Sequence, residues 1–164
     1  MKRINQILNN EQYCLYLLKN KALEEYRQFC RHDLEHMLAV SRLTYLLLLE
    51  KGSTAISKEV AYAAGLLHDI GRWKEYEDGT DHAGYSACLA GPILTEAGFA
   101  VEEKEIILKA IAQHRHKEQD EEHRSPLSEA LHRADSLSRL CFQCSAAGAC
   151  KSVKTRPHRQ GLQY

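Results

Sequence analysis

Four histidines and two aspartates of this 164-residue chain fall where a helical reading puts apolar side chains. His36 shares an i, i+3, i+4, i+7 stripe with Val40, Leu43 and Leu47. His68 lies with Ala61 and Ala64, His82 with Tyr85, Leu89 and Ile93, and His114 with Ile107, Ala110 and Ile111. Asp135 lies with Leu131 and Phe142, and Asp69 follows His68 at the end of the apolar run AAGLLHDIG. Burying so many imidazoles and carboxylates without partners would cost several kcal/mol for each uncompensated charge. A metal centre removes that cost, because neutral imidazole and carboxylate are ligands of transition metals. Four His and two Asp exceed what one tetrahedral ion requires and suit two ions bridged by one carboxylate. Water bound to such ions has its pKa lowered toward neutrality and becomes a hydroxide nucleophile.

The elements that must position these residues are helical. Only three Pro and nine Gly punctuate the chain, and alternating apolar/polar runs are absent, so the expected class is all-α. Helices are expected over Asn5 to Arg27, from an N-cap at Asp33 to Glu50, over Lys58 to Ile70, His82 to Ala97, Glu102 to His116, and Leu127 to Ala147. RWKEYEDGTD and KEQDEEHRS are expected as polar loops. Residues 1–150 form one expected domain, and the acid-free stretch 151–164 a basic tail, a candidate for mobility. Lys plus Arg and Asp plus Glu are 22 each, which argues against nucleic-acid binding driven by bulk charge. The run Leu43 to Leu49 is too short to span a bilayer. MKRINQILNN carries no secretory pattern, so a cytoplasmic, reducing setting is expected, with the six Cys unpaired.

The order His36, then His68-Asp69 in LLHDIGR, then Asp135 in HRADSLSRL, resembles the HD-domain superfamily of metal-dependent hydrolases over about residues 31 to 142. The added His82 and His114 are similar to its six-ligand, two-metal version. The resemblance implies a compact helical bundle with metals between its core helices and hydrolysis of phosphate esters, often in nucleotides. It implies one ion on His36, His68, Asp69 and Asp135, and a second on Asp69, His82 and His114, with Asp69 bridging in the catalytic centre. Mn, Fe, Co and Ni all suit such ligands. Members with the same ligand set include mixed-valent di-iron oxygenases, and a non-catalytic metal- or nucleotide-sensing module is the third reading. The Gly-Tyr-Pro signature of the cyclic-dinucleotide members is missing, since Gly84-Tyr85 lacks the proline.

A phosphorylated small-molecule substrate needs cations, which can grip phosphate bidentately when they are Arg. Arg72, Lys74, Arg115 and Arg133 are the candidates near the ligands, with Arg72 favoured because it opens the loop at the mouth of the site. His32-Asp-Leu-Glu-His36 superficially resembles the H-E-x-x-H zinc-protease helix, but its second residue is Asp and His32 precedes the N-cap. His132, one turn before Asp135, is expected at the site rim, His116 and His123 in solvent, and His158 in the basic tail. A separate thiolate site is readable in Cys141-x2-Cys144-x5-Cys150, compatible with zinc or iron–sulfur ligation. Cys30 is the best fourth ligand, because it lies as far before His36 as Cys141 lies after Asp135, ~9 Å along two antiparallel helices. Cys14 and Cys88 are expected as packing residues.

Overall fold

The computed structural model describes residues 1–115 and 125–163. Its α-helices are α1 (Lys2–Leu8), α2 (Glu11–Glu24), α3 (Leu34–Glu50), α4 (Lys58–Leu67), α5 (Arg72–Asp78), α6 (His82–Glu96), α7 (Val101–Gln113) and α8 (Pro126–Leu137). No strand occurs among the described residues. None of these helices is long and apolar enough to cross a membrane. His116, His123 and most of the charged stretch KEQDEEHRS lie outside the described residues.

Side-chain caps fix where most of these helices begin. The single N-terminal helix expected over Asn5 to Arg27 is two, because the Asn10 side chain accepts from the amides of Gln12 and Tyr13 and starts α2 afresh. Arg3 ties α1 down through ion pairs to Glu59 and Glu103 and lies over the Phe99 ring. Asp33 caps α3 by accepting from the His36 amide at 3.0 Å, and Ser57 caps α4. Asp81 caps α6 and Ser125 caps α8.

Four further local expectations are corrected. RWKEYED is the helix α5 rather than a loop. Its polar face carries Arg72–Glu75 and Lys74–Asp78 pairs at 2.7 and 2.9 Å, while Trp73 turns inward and Gly79, at φ 80°, ends it. The last long helix stops at Leu137, well short of Ala147. The chain continues in short 3-10 turns at Cys141–Gln143, Ala147–Ala149, Lys151–Thr155 and Pro157–Arg159, so Phe142 leaves the Asp135 stripe and is half-exposed. The basic tail is packed: His158 is fully buried, its Nδ1 accepts from the Gln163 amide, and the last turn lies against α8 and the Cys141 turn. Cys14 and Cys88 are exposed on outward helix faces and do not pack the core.

The core lies between α3, α4, α7 and α8, closed by α1 and α6. Helices α3 and α4, which carry His36 and lead into His68, approach so closely that a Cβ on Gly65 would sit 2.5 Å from the Ser41 Cα. The Ser41 hydroxyl donates across this seam to the Tyr62 carbonyl at 3.1 Å. Gly65→Ala should therefore cost about 3 kcal/mol and lower Tm by about 10 °C. In Gly91→Ala the new methyl meets nothing within 4 Å, and removing a helix-interior glycine should raise Tm slightly. Thermal unfolding of the two variants checks both, and a neutral Gly65→Ala would contradict the close seam.

Candidate metal centre

Two groups of ligand atoms converge where α3, α6, α7, α8 and the His68–Gly71 turn meet. His36, His68, Asp69 and Asp135 offer one set, and Asp69, His82 and His114 the other, with the atoms of each set within 4.8 Å of one another. Asp69 belongs to both. Its Oδ1 lies 3.0 Å from His82 Nε2 and 3.5 Å from His114 Nε2, while its Oδ2 lies 3.3 Å from His68 Nε2. Asp135 Oδ1 lies 3.4 Å from His36 Nε2 and 4.0 Å from His68 Nε2.

Every one of these imidazoles is steered by its other nitrogen. His68 Nδ1 donates to the Gly65 carbonyl and His114 Nδ1 to the Ile111 carbonyl, each at 2.7 Å. His82 Nδ1 meets Glu75, and His36 Nδ1 lies 3.2 Å from the Ser138 hydroxyl. Such partners fix tautomer and ring orientation and leave Nε2 as the free ligand atom. Asn20, buried on α2, locks the turn that carries Asp69: its Nδ2 donates to the Asp69 carbonyl at 2.9 Å and its Oδ1 accepts from the Trp73 amide at 2.7 Å. Gly71 then lets α6 approach, with its amide donating to the Ser86 hydroxyl at 2.9 Å.

The electrostatics suit a cation. Burial pushes the Asp69 carboxyl up, but the surrounding imidazoles, His68 foremost, outweigh it and hold the group well below the carboxylate range. Burial likewise raises Asp135, yet His68 and His36 bring it to about 2. His36 is held well below the imidazole range by burial, the Arg139 charge and His68, so it is neutral and ready to ligate. Two atoms in the middle, His68 Nε2 and Asp69 Oδ1, are buried without a hydrogen bond. Orphaned buried acceptors of this kind are costly without a partner, and a divalent ion would satisfy both. Two adjustments are needed: Arg139 Nη2 lies 2.9 Å from His36 Nε2 and Arg72 Nη1 lies 3.1 Å from His82 Nε2, and each guanidinium must release that nitrogen for it to bind metal.

His68 shows where protons compete. Burial lowers its pKa, but Asp69 and Asp135 outweigh burial and leave it raised. Metal must therefore displace a proton from His68 at a higher pH than from an ordinary imidazole, whose pKa is about 6.5. Metal content after dialysis should be full near pH 8, decline from about pH 7 and be lost near pH 5. Content unchanged at the acid end would contradict this arrangement.

The centre opens into a cleft of about 590 Å³, lined by Asp69, His82, His114 and Asp135 and by cations from several segments. Of the expected phosphate contacts, Arg72 and Arg115 line it. Lys74 is not brought there, being paired with Glu77 and Asp78 on the outer face of α5, and Arg133 lines a separate hollow beside Pro157. His132 lines the cleft, its Nδ1 bonded to the His114 carbonyl at 2.6 Å. Arg27, Arg139, Lys151 and Arg156 also line it and were not anticipated. Arg139 follows Asp135 by four residues, just past the end of α8. The others reach the cleft only through tertiary packing.

His32, set aside as lying before the N-cap, is a buried neighbour of the centre. Its Nδ1 is held by Glu24, which also accepts from the Tyr76 hydroxyl at 2.7 Å, and its Nε2 lies 3.6 Å from Asp69 Oδ2. The i, i+4 spacing with His36 was the signal that could have found it.

An all-α bundle with a buried His/Asp cluster suited to a divalent metal defines a class of metal-dependent protein. The family model for the HD domain matches residues 33–140, and the chain belongs to the HD-domain family, a family of metal-dependent phosphohydrolases. It is similar to an uncharacterized protein of Clostridium beijerinckii (strain ATCC 51743 / NCIMB 8052), at 40% identity over 150 residues, 92% of each chain. No solved structure matches the chain.

Proposed function

We propose that this protein is a dinuclear metal-dependent phosphohydrolase that cleaves a phosphate ester of a nucleotide or another small phosphorylated metabolite. The observation that carries this reading is the charge of the cleft: Arg27, Arg72, Arg115, Arg139, Lys151 and Arg156 all face the space beside the carboxylate cluster. When bound, the two ions supply Lewis acidity and an activated water at neutral pH. The chain's own groups do the rest. Arg72, Arg115 and Arg139 take the phosphate oxygens, where an Arg fork gives two charge-assisted bonds. His132 donates from Nδ1 to a carbonyl, which leaves Nε2 as an acceptor that can take a proton from the attacking water and, as the imidazolium, pass it to the leaving oxygen. Phe29 at the lip offers a flat apolar face that a nucleobase could stack on. A volume of about 590 Å³ falls in the range of small-ligand sites, ~300–1,000 Å³. None of the six cysteines is in a disulfide, in keeping with a cytoplasmic setting.

Phosphate release from a panel of nucleotides and sugar phosphates, with Mn²⁺ added, tests the proposal. Turnover of at least one compound, abolished by chelator, is the expected result. Arg72→Ala should raise KM or lower kcat/KM by about 10²-fold, the value of one to two charge-assisted bonds. No phosphate release from any compound, with oxygen consumed by the ferrous protein instead, would replace this reading with the oxygenase one.

A further inference from the structure

We infer that Cys30, Cys141, Cys144 and Cys150 form a second metal centre, of thiolate ligands, that holds the substrate-side wall of the cleft in place. All four line one cavity of about 300 Å³, together with Phe29, Arg139 and Val153. They come from two segments far apart in sequence. Cys30 lies in the connection between α2 and α3, and the other three lie on the run of 3-10 turns that follows α8. Those turns are registered on the cysteines. The Cys144 amide donates to the Cys141 carbonyl at 3.2 Å, the Ala147 amide to the Cys144 carbonyl at 3.1 Å, and the Val153 amide to the Cys150 carbonyl at 3.3 Å.

The segment has little else to fix it. From Cys141 to Thr155 only Cys141 and Ala146 are buried, while Phe142 and Cys144 are exposed. Short 3-10 turns are poor in hydrogen-bond geometry and rarely stand alone, so so small an apolar contact leaves their stability to a cross-link. None of the four thiols is in a disulfide. Cys-x2-Cys with two further thiols is the ligand complement of zinc or of an iron–sulfur cluster. Among the described residues no three of these sulfurs all lie within 4.8 Å of one another, whereas a single zinc with Zn–S of ~2.3 Å holds its ligands ~3.8 Å apart, so the turns must draw in around one zinc and less so around a larger iron–sulfur cluster.

The site would act on the cleft through shared walls. Cys30, Cys141 and Cys150 line the cleft as well as the thiol cavity, as does Arg139. Arg139 Nη1 donates to the Arg31 carbonyl at 2.7 Å, next to Cys30. Lys151 follows Cys150 directly, Arg156 ends the same 3-10 turn, and both also line the cleft. Closing the long loop between Cys30 and Cys141 restricts the unfolded chain and should stabilise the fold.

The inference is independent of the reaction proposed above. Protein purified without oxygen is analysed for zinc, iron and acid-labile sulfide, beside Cys144→Ser and Cys30→Ser. The expected result is thiolate-bound metal in the unsubstituted protein, either iron with sulfide and a brown visible absorption or colourless zinc, lost in both variants. Mn²⁺ binding at the His/Asp centre should survive the substitutions. Alkylation of the unsubstituted protein under native conditions decides the matter even if the variants fail to fold. All four thiols should be protected while Cys14 and Cys88 react. Metal-free protein whose four thiols react as fast as Cys14 and Cys88, or a disulfide among them, would overturn the inference.

Discussion

Asp69→Ala should abolish both metal binding and phosphate release. Asp69 is the one residue shared by the two ligand groups, with Oδ1 turned to His82 and His114 and Oδ2 to His68. Its removal takes a carboxylate from each ion at once, and at several kcal/mol per metal contribution the rate should fall by about 10³-fold or more. The apo-protein should suffer too, since the imidazoles of His68, His82 and His114 are all buried and lose the anion they face. Removing one partner of such a buried set costs about 3–5 kcal/mol. Asp69→Asn, which keeps the shape, separates the two effects: it should fold better than Asp69→Ala yet bind metal no better. Full metal content in either variant would show that the ions, if bound, do not share Asp69.

His82→Ala should remove one ion and leave the other. His82 belongs only to the second group, and the four ligands of the first, His36, His68, Asp69 and Asp135, remain intact. The residual activity should be about 10²-fold below that of the unsubstituted protein, because the first group could still hold one ion and supply part of the Lewis acidity that two would provide. His114→Ala should behave alike. Metal analysis of both variants, at equal protein and after equal dialysis, checks this. Loss of both ions, or of neither, would mean that the two groups do not act as separable sites.

How these residues could be read from the chain differs from one to the next. His36, His68, His82 and His114 were visible because a polar residue on an otherwise apolar stripe needs an explanation, and the periodicity of a long helix is a strong local signal. The HD motif added their order. Asn20 gave no such sign: it sits in the polar string LKNKAL, and its role depends on α2 lying against the turn after α4. RWKEYED reads as a loop because it is polar on every face but one, and only the burial of Trp73, its amide on Asn20 and its ring against Tyr85, shows what that face is for. The cations of the cleft divide in the same way. Arg72 adjoins the motif in sequence, whereas Arg27, Lys151 and Arg156 come from connections and tail whose placement is a tertiary event. The tail also carried few apolar residues, so composition suggested mobility where buried His158 and the thiol-bearing turns keep it against α8.

Mn²⁺ titration of the chelator-treated protein, followed by electron paramagnetic resonance, tests most directly the proposal that the centre is dinuclear. Mn²⁺ prefers oxygen and imidazole over thiolate, so the titration reports the His/Asp cluster and passes over the cysteines. Two ions sharing the Asp69 carboxylate should bind per chain, the second quenching the isolated-ion signal of the first by spin coupling, and His82→Ala should bind one uncoupled ion. Saturation at a single uncoupled ion in the unsubstituted protein, or no binding at all, would contradict the account.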